Sequence, residues 1–301
     1  MTFSRTEITA LLDRHGLAPR RAFGQNFVID ANTVRKIARL ADVGAGDFVL
    51  EIGAGLGSLT LALAETGANI TAVEIDNGLV EVLRSNTAKL ENVEVVHADA
   101  MALDWQPLLA KSKRWHVVAN LPYNVATIIV ADLLDGIAEV EHMLVMVQSE
   151  VADRLVANAG DEAYGAVSVK INYWATSKIV GQVPPSVFFP QPRVESALVD
   201  IRRREQPGVS GVVAKELFAL VRTGFAKRRK MLRGALSEVA TAADFVTAQV
   251  NPESRAEELD LAAWGRLRCA IDTRLSHATT STDHSTDHST DHNTDHKTPN
   301  H

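Results

Sequence analysis

Phe48-Val49-Leu50-Glu51-Ile52-Gly53-Ala54-Gly55-Leu56-Gly57 runs from a short apolar segment straight into three glycines at alternate positions. Followed by the helical pattern Leu59 to Glu65, it spells a strand, a sharp turn and a helix. A backbone that turns so tightly while passing close to a ligand requires glycine. The spacing is G-x-G-x-G, not the G-x-G-x-x-G that seats a dinucleotide pyrophosphate. Such a loop alone also suits a purely structural turn.

Around it, short apolar runs alternate with longer helical patterns as far as about Gln148, as in a parallel sheet covered on both faces. The expected strands are Phe48 to Ile52, Ile70 to Glu74, Val93 to His97, Trp115 to Asn120 and His142 to Val147, with helices such as Gly78 to Leu90 between them. Right-handed crossovers make this an α/β, doubly wound, mostly parallel, Rossmann-like sheet, with ligands at the carboxyl ends of its strands. Two later β-like runs, Val167 to Ala175 and Ser196 to Arg202, flank the turn-rich Pro184 to Pro192 and would close the sheet as an antiparallel edge.

Acids stand at the strand ends. Glu74 ends the second strand, about twenty residues past the loop, where a carboxylate accepts hydrogen bonds from two ribose hydroxyls. Asp99, in His97-Ala98-Asp99-Ala100-Met101, ends the third, where it would accept from an adenine amino group. With Gly53 and Gly55 in the turn, these positions point to an adenosine-containing ligand. NAD carries the same adenosine, so a dehydrogenase stays open on these features alone.

The fourth strand ends in Asn120-Leu121-Pro122-Tyr123, and these residue types suit one chemistry. An adenine amino nitrogen is a poor nucleophile because its lone pair is delocalised into the ring. The Asn120 amide oxygen and the Leu121 backbone carbonyl, accepting from its two N–H bonds, would favour a tetrahedral nitrogen, with Pro122 fixing the turn that aims them. Tyr123 supplies an aromatic face for an extruded base. A plain turn closing a strand would explain Asn and Pro but not the aromatic.

At 301 residues, with 46% hydrophobic and 23% charged side chains, the chain accommodates a full α/β domain and a smaller one. Domains are expected over 1–206 and 207–275, the second wholly helical after Gln206-Pro207-Gly208. The single cysteine, Cys269, excludes an internal disulfide and a cysteine-based zinc site and fits a reducing cytosol. Met1 to Leu12 lacks the continuous apolar run of a signal peptide or membrane span, so a cytoplasmic protein without membrane association is expected. The net charge of -6 argues against nucleic acid until its placement is considered. Arg202 to Arg233 holds ten Lys or Arg against Glu205 and Glu216, whereas Gly234 to His301 holds five against eleven acids. A basic segment inside an acidic total is the footprint of a phosphate-binding surface, although a solvated helix face has the same composition. The tail, 276–301, repeats Ser-Thr-Asp-His up to His292 and closes with Asn-Thr-Asp-His at His296. Without an apolar face it is expected to be disordered, histidines four apart on a metal-binding helix being the weaker reading.

Several segments together resemble the ribosomal RNA adenine dimethyltransferase family. Asn120-Leu121-Pro122-Tyr123-Asn124 resembles its catalytic motif and Arg21-Ala22-Phe23-Gly24-Gln25-Asn26-Phe27 its N-terminal motif, whose asparagine covers the cofactor. Phe188-Phe189-Pro190-Gln191-Pro192-Arg193-Val194-Glu195-Ser196 resembles the motif whose leading phenylalanine stacks on the target adenine. Phe225 to Arg233 is similar to the basic helix of the family's second domain, and Arg255-Ala256-Glu257-Glu258-Leu259 resembles a further segment. The resemblance spans about Arg20 to Arg268. It implies a class I methyltransferase with a small C-terminal all-α domain and S-adenosylmethionine as cofactor. Gln25, Asn26, Val28 (where the family has leucine), Gly53, Gly55, Glu74, Asp99 and Asn120 would hold the cofactor, and Asn120, Leu121, Pro122, Tyr123 and Phe188 would serve the acceptor base. Lys227, Arg228, Arg229, Lys230 and Arg233 would meet RNA phosphates, and no metal is called for. The implied substrate is two adjacent adenines near the 3′ end of small-subunit (16S) rRNA in an immature ribosomal subunit, bound by a monomer. A resistance-type 23S rRNA enzyme and an assembly factor whose methylation is incidental remain alternatives. A DNA adenine methyltransferase fits less well, because Leu121 interrupts its usual Pro-Pro spelling.

Overall fold

The computed structural model describes residues 2–20, 23–123, 125–227 and 229–283, with side chains described through residue 277. Two compact units divide between Ser210 and Gly211, a few residues past Gln206.

The first unit begins with α1 (Arg5–Arg14), closed at its N-terminus by a capping box of Ser4 and Glu7, then a short β1 (Phe27–Val28) and α2 (Ala31–Leu40). Next come β2 (Phe48–Ile52), α3 (Ser58–Ala64), β3 (Asn69–Glu74), α4 (Asn77–Thr87), β4 (Val93–His97), α5 (Trp105–Leu109), β5 (Trp115–Asn120), α6 (Ala126–Gly136) and β6 (Val140–Gln148). The unit ends with α7 (Ser149–Val156), α8 (Ala166–Trp174), β7 (Ala175–Val183), a short β8 (Phe188–Phe189) and β9 (Ser196–Arg203).

Seven strands form one sheet in the order β4-β3-β2-β5-β6-β9-β7. The first five are parallel, while β9 runs antiparallel to both β6 and β7. Successive side chains along a strand face opposite ways, and the two cores divide accordingly. On β6, Met143, Val145 and Val147 join one core with α6 and α7, while Leu144 and Met146 join the other with α2 and α3. On β9, Ala197, Val199 and Ile201 fall on the first side and Leu198 on the second. Apolar runs on both sides are why these strands read as near-continuous hydrophobic segments.

The order reverses between β2 and β5, because β3 lies on the far side of β2 and the chain returns from β4 to start β5. That switch point opens a crevice at the carboxyl ends of both strands. A separate ribbon pairs β1 with β8, Phe27 opposite Phe189 and Val28 opposite Phe188.

One expected strand is a helix. Val167 to Ala175 alternates apolar and polar residues, yet 166–174 is α8. The helix packs against α6, α7 and β7, burying Ser168, Val169, Ile171 and Tyr173. Burial on several sides at once mimics the period of a strand, and the Ser168 hydroxyl donates to the Arg154 carbonyl at 2.7 Å to seat the first turn. The edge strand is instead β7, immediately after.

The second unit is helical: α9 (Ala214–Ala226), α10 (Leu232–Ala235), α11 (Ala242–Ala248) and α12 (Leu261–Asp283). Residues 276–283, expected to be disordered, continue α12. The remainder of the Asp-His tail lies outside the described residues. No described helix is long and apolar enough to cross a membrane.

Candidate active site

A cleft lies at the switch point, lined by Glu51 of β2 and Gly53 to Leu56 after it, Glu74 at the end of β3, Asn120 at the end of β5 and Pro122 after it, and Phe23 to Val28. Gly53 and Gly55 have φ of 75° and 60°, a region that L side chains rarely adopt. A Cβ on Gly55 would come within 3.3 Å of Phe27 Cε1. A side chain there would press on the Phe27 ring.

Glu74 is 5% exposed. Its Oε2 accepts from Gly55 N at 2.8 Å and its Oε1 from Ile75 N and Asp76 N, both at 2.9 Å. The carboxylate thereby ties the glycine loop to β3. Burial raises its pKa, and those backbone N–H groups work against the rise. Glu51 lies at the same end of β2. It is 2% exposed, and its Oε2 has no hydrogen-bond partner among the described residues. Burial pushes its pKa up to about 8; the Thr60 hydroxyl opposes the rise and the Glu74 carboxylate adds to it. The signal for Glu51 was an acid inside an otherwise apolar strand directly before the glycines.

Asn120 Nδ2 donates to the Asn26 carbonyl at 3.0 Å, so the amide is oriented and Oδ1 remains its acceptor. Leu121 N donates to Met146 O at 3.1 Å, which keeps the turn against β6. Its carbonyl accepts no hydrogen bond among the described residues, whereas the Pro122 carbonyl accepts from Val125 N and Ala126 N and starts α6. Tyr123 is half-buried, and its hydroxyl lies 2.9 Å from Ser196 Oγ. Burial raises the Tyr123 pKa.

The N-terminal segment reaches the cleft as expected of Gln25, Asn26 and Val28. Gln25 Nε2 donates to Asp76 Oδ2 at 3.0 Å while its Oε1 accepts from Arg20 N at 2.7 Å. Asn26 Nδ2 turns back to the Gly24 carbonyl at 3.1 Å, so its backbone, not its side chain, meets Asn120.

The surroundings of Phe188, Asp99 and the basic segment differ from those expected. Phe188 is 2% exposed and sits in the core with Val28 and Val34, because β8 pairs with β1 and turns this ring inward. Asp99 is exposed, and its Oδ1 accepts from Met101 N at 2.9 Å to close a turn just past β4. The basic segment is not a helix. The helix α9 ends at Ala226 and α10 starts at Leu232, leaving Lys227, Arg229 and Lys230 exposed on the intervening turn. Leu232, fully buried, opens the next helix. Arg233 lies on α10, 3.6 Å from Glu253, and Lys227 lies 3.7 Å from Glu238. Arg228 lies outside the described residues.

The donors fit S-adenosylmethionine, because two glycines leave a cradle that a Cβ would fill and a buried carboxyl oxygen in the cleft lacks a partner. A Rossmann-like sheet with an acid at the β3 end and Asn-Leu-Pro-Tyr at the β5 end defines a class I, S-adenosylmethionine-dependent methyltransferase. A family model described as ribosomal RNA adenine dimethylase matches residues 16–271. The chain belongs to that family. It is 44% identical over 274 residues to a ribosomal RNA small subunit methyltransferase A of Cutibacterium acnes, covering 86% of this chain and 91% of that protein. The protein of the same description from Streptomyces coelicolor is 45% identical over 262 residues, 84% and 91% of the two chains. Among solved structures, the 23S rRNA methyltransferase ErmE is similar with a TM-score of 0.65 and 26% identity, over 82% of this chain and 100% of that one. A dimethyladenosine transferase from Plasmodium falciparum gives 0.70 and 22%, over 82% and 98%, a likeness of fold.

Proposed function

We propose that this chain transfers methyl groups from S-adenosylmethionine to N6 of two adjacent adenines near the 3′ end of small-subunit rRNA, giving N6,N6-dimethyladenosine in an immature ribosomal subunit. The observation that carries it is the orientation of Asn120. Its amide nitrogen is committed to the Asn26 carbonyl, so its oxygen is the group left to accept from an amino N–H at the edge of the cleft. The Leu121 carbonyl is the second acceptor. Together they draw the nitrogen toward a tetrahedral geometry with its lone pair available.

When bound, S-adenosylmethionine supplies an electrophilic methyl on a sulfonium. Glu74 holds the ribose hydroxyls once its carboxylate gives up part of its bonding to the loop, Gly53 and Gly55 let the backbone approach, and Phe23 to Val28 cover the cleft. Asp99, exposed just past β4, keeps Oδ2 to accept from the adenine amino group. Tyr123 stacks on the acceptor base, while Phe188 supports the β1–β8 ribbon from within the core. No strong general base is needed, since the nitrogen becomes acidic once methylated and cationic. Lys227, Arg228, Arg229, Lys230 and Arg233 are assigned to rRNA phosphates. The curated relatives at 44 to 45% identity, described as small-subunit enzymes, favour that rRNA over the 23S rRNA of the relative at 26%.

The test is methylation of immature small subunits, naked rRNA and duplex DNA with labelled methyl donor, with mass spectrometry of the digested nucleosides. Dimethyladenine in the immature subunits is expected, with Asn120→Ala suppressing both transfers. Full activity in folded Asn120→Ala would sink the assignment, and a variant that binds subunits but cannot methylate separates assembly from catalysis.

A further inference from the structure

We infer that Ser196 is a positioning residue for methyl transfer, acting through Tyr123. Ser196 is 0% exposed, and its Oγ lies 2.9 Å from the Tyr123 hydroxyl. It opens β9 where three strands meet, opposite Gln148 of β6 and Val183 of β7. The preceding residue is anchored too, since Ser149 N donates to the Glu195 carbonyl at 3.0 Å. Tyr123, by contrast, stands in the turn after β5, outside any strand or helix. The hydrogen bond ties this turn-borne ring to the rigid sheet. The hydroxyl stays protonated at neutral pH, because burial moves its titration further upward.

The consequence rests on the acceptor reading above and deepens it. In the first transfer two N–H bonds orient the nitrogen, through Asn120 and Leu121. After one methyl is attached a single N–H remains, and stacking on a fixed ring carries more of the orientation. Ser196 therefore serves the second methylation most.

The experiment is single-turnover methylation of immature small subunits by Ser196→Ala, Tyr123→Phe and the double variant, with mono- and dimethyladenine counted by mass spectrometry. A melting curve accompanies each protein. One hydrogen bond is removed from either side, so each single variant should slow the second transfer by roughly three- to tenfold, slow the first less and accumulate monomethyladenine. The double variant should be no slower than either single one, since both delete the same bond. A Ser196→Ala protein that melts earlier yet makes both products at wild-type rates per folded molecule would overturn the inference, as would multiplicative losses in the double variant. Tyr123→Phe keeps the question answerable if Ser196→Ala does not fold, because an unchanged product ratio there also overturns it. Tyr123→Ala separates the two levels: full activity would remove Tyr123 from the acceptor site altogether, whereas lost activity beside a normal Ser196→Ala would fault the Ser196 role alone.

Discussion

At the scale of single residues, Glu51 shows how burial sets chemistry. Its carboxyl titrates at about 8 in place of the usual 4.5, so the folded state holds its proton more tightly than the unfolded chain does. Stability from this group is fully present below about pH 4.5 and is lost as pH rises through about 8. Glu51→Gln keeps a neutral side chain throughout. Its melting temperature should therefore decline less between pH 5 and pH 8 than that of the parent protein, and identical slopes would show that Glu51 is ionised in the fold. Glu74, in contrast, spends both oxygens on three backbone N–H groups, so its hold on a ribose competes with its hold on the glycine loop. Glu74→Ala should weaken S-adenosylmethionine binding by roughly tenfold to a hundredfold, the value of one charged hydrogen bond. Calorimetry giving unchanged affinity in a folded variant would remove Glu74 from the site.

At the scale of elements, the β1–β8 ribbon governs the cleft wall, and Phe188 is its inward-facing member. Removing a buried phenylalanine ring leaves a cavity and costs about 3 to 5 kcal/mol. Phe188→Ala should lower the unfolding free energy by that amount, with Phe188→Leu milder because more of the volume is kept. Denaturant unfolding checks this; a near-neutral Phe188→Ala would mean that the ring leaves the core in solution and restores the stacking role. The same reasoning explains α8. Its alternating residues satisfy a strand pattern, but neighbours on several sides bury a helix equally well, and Gly165 with Ser168 begins one.

At the scale of the whole molecule, a chain of net charge -6 is proposed to bind RNA through a local excess of cations. Lys227, Arg229, Lys230 and Arg233 are exposed in the second unit, and two of them have a glutamate within 4 Å. Such surface pairs are weak, so phosphates can displace them. Arg229→Ala with Lys230→Ala should lower rRNA affinity and flatten its dependence on salt, since each neutralised phosphate releases counterions. Binding of free S-adenosylmethionine should not change. A salt slope equal to that of the parent protein would place the RNA surface elsewhere.

The parallel sheet was legible in the order of residues, because buried strands declare themselves as apolar runs and glycines mark the turn at Gly53 and Gly55. The acid at Glu74 and the Asn120-Leu121-Pro122-Tyr123 motif were legible for the same reason: local spacing places them at strand ends, where the crevice of such a sheet must lie. What spacing could not convey is which way a side chain faces once distant segments meet. The inward turn of Phe188 follows from its pairing with Val28, 160 positions earlier in the chain, and the contact of Tyr123 with Ser196 joins residues 73 apart. Glu51 looks like any strand acid until the folded chain buries it at the base of the cleft. These features depend on long-range burial and pairing, which exist only when the chain has closed on itself.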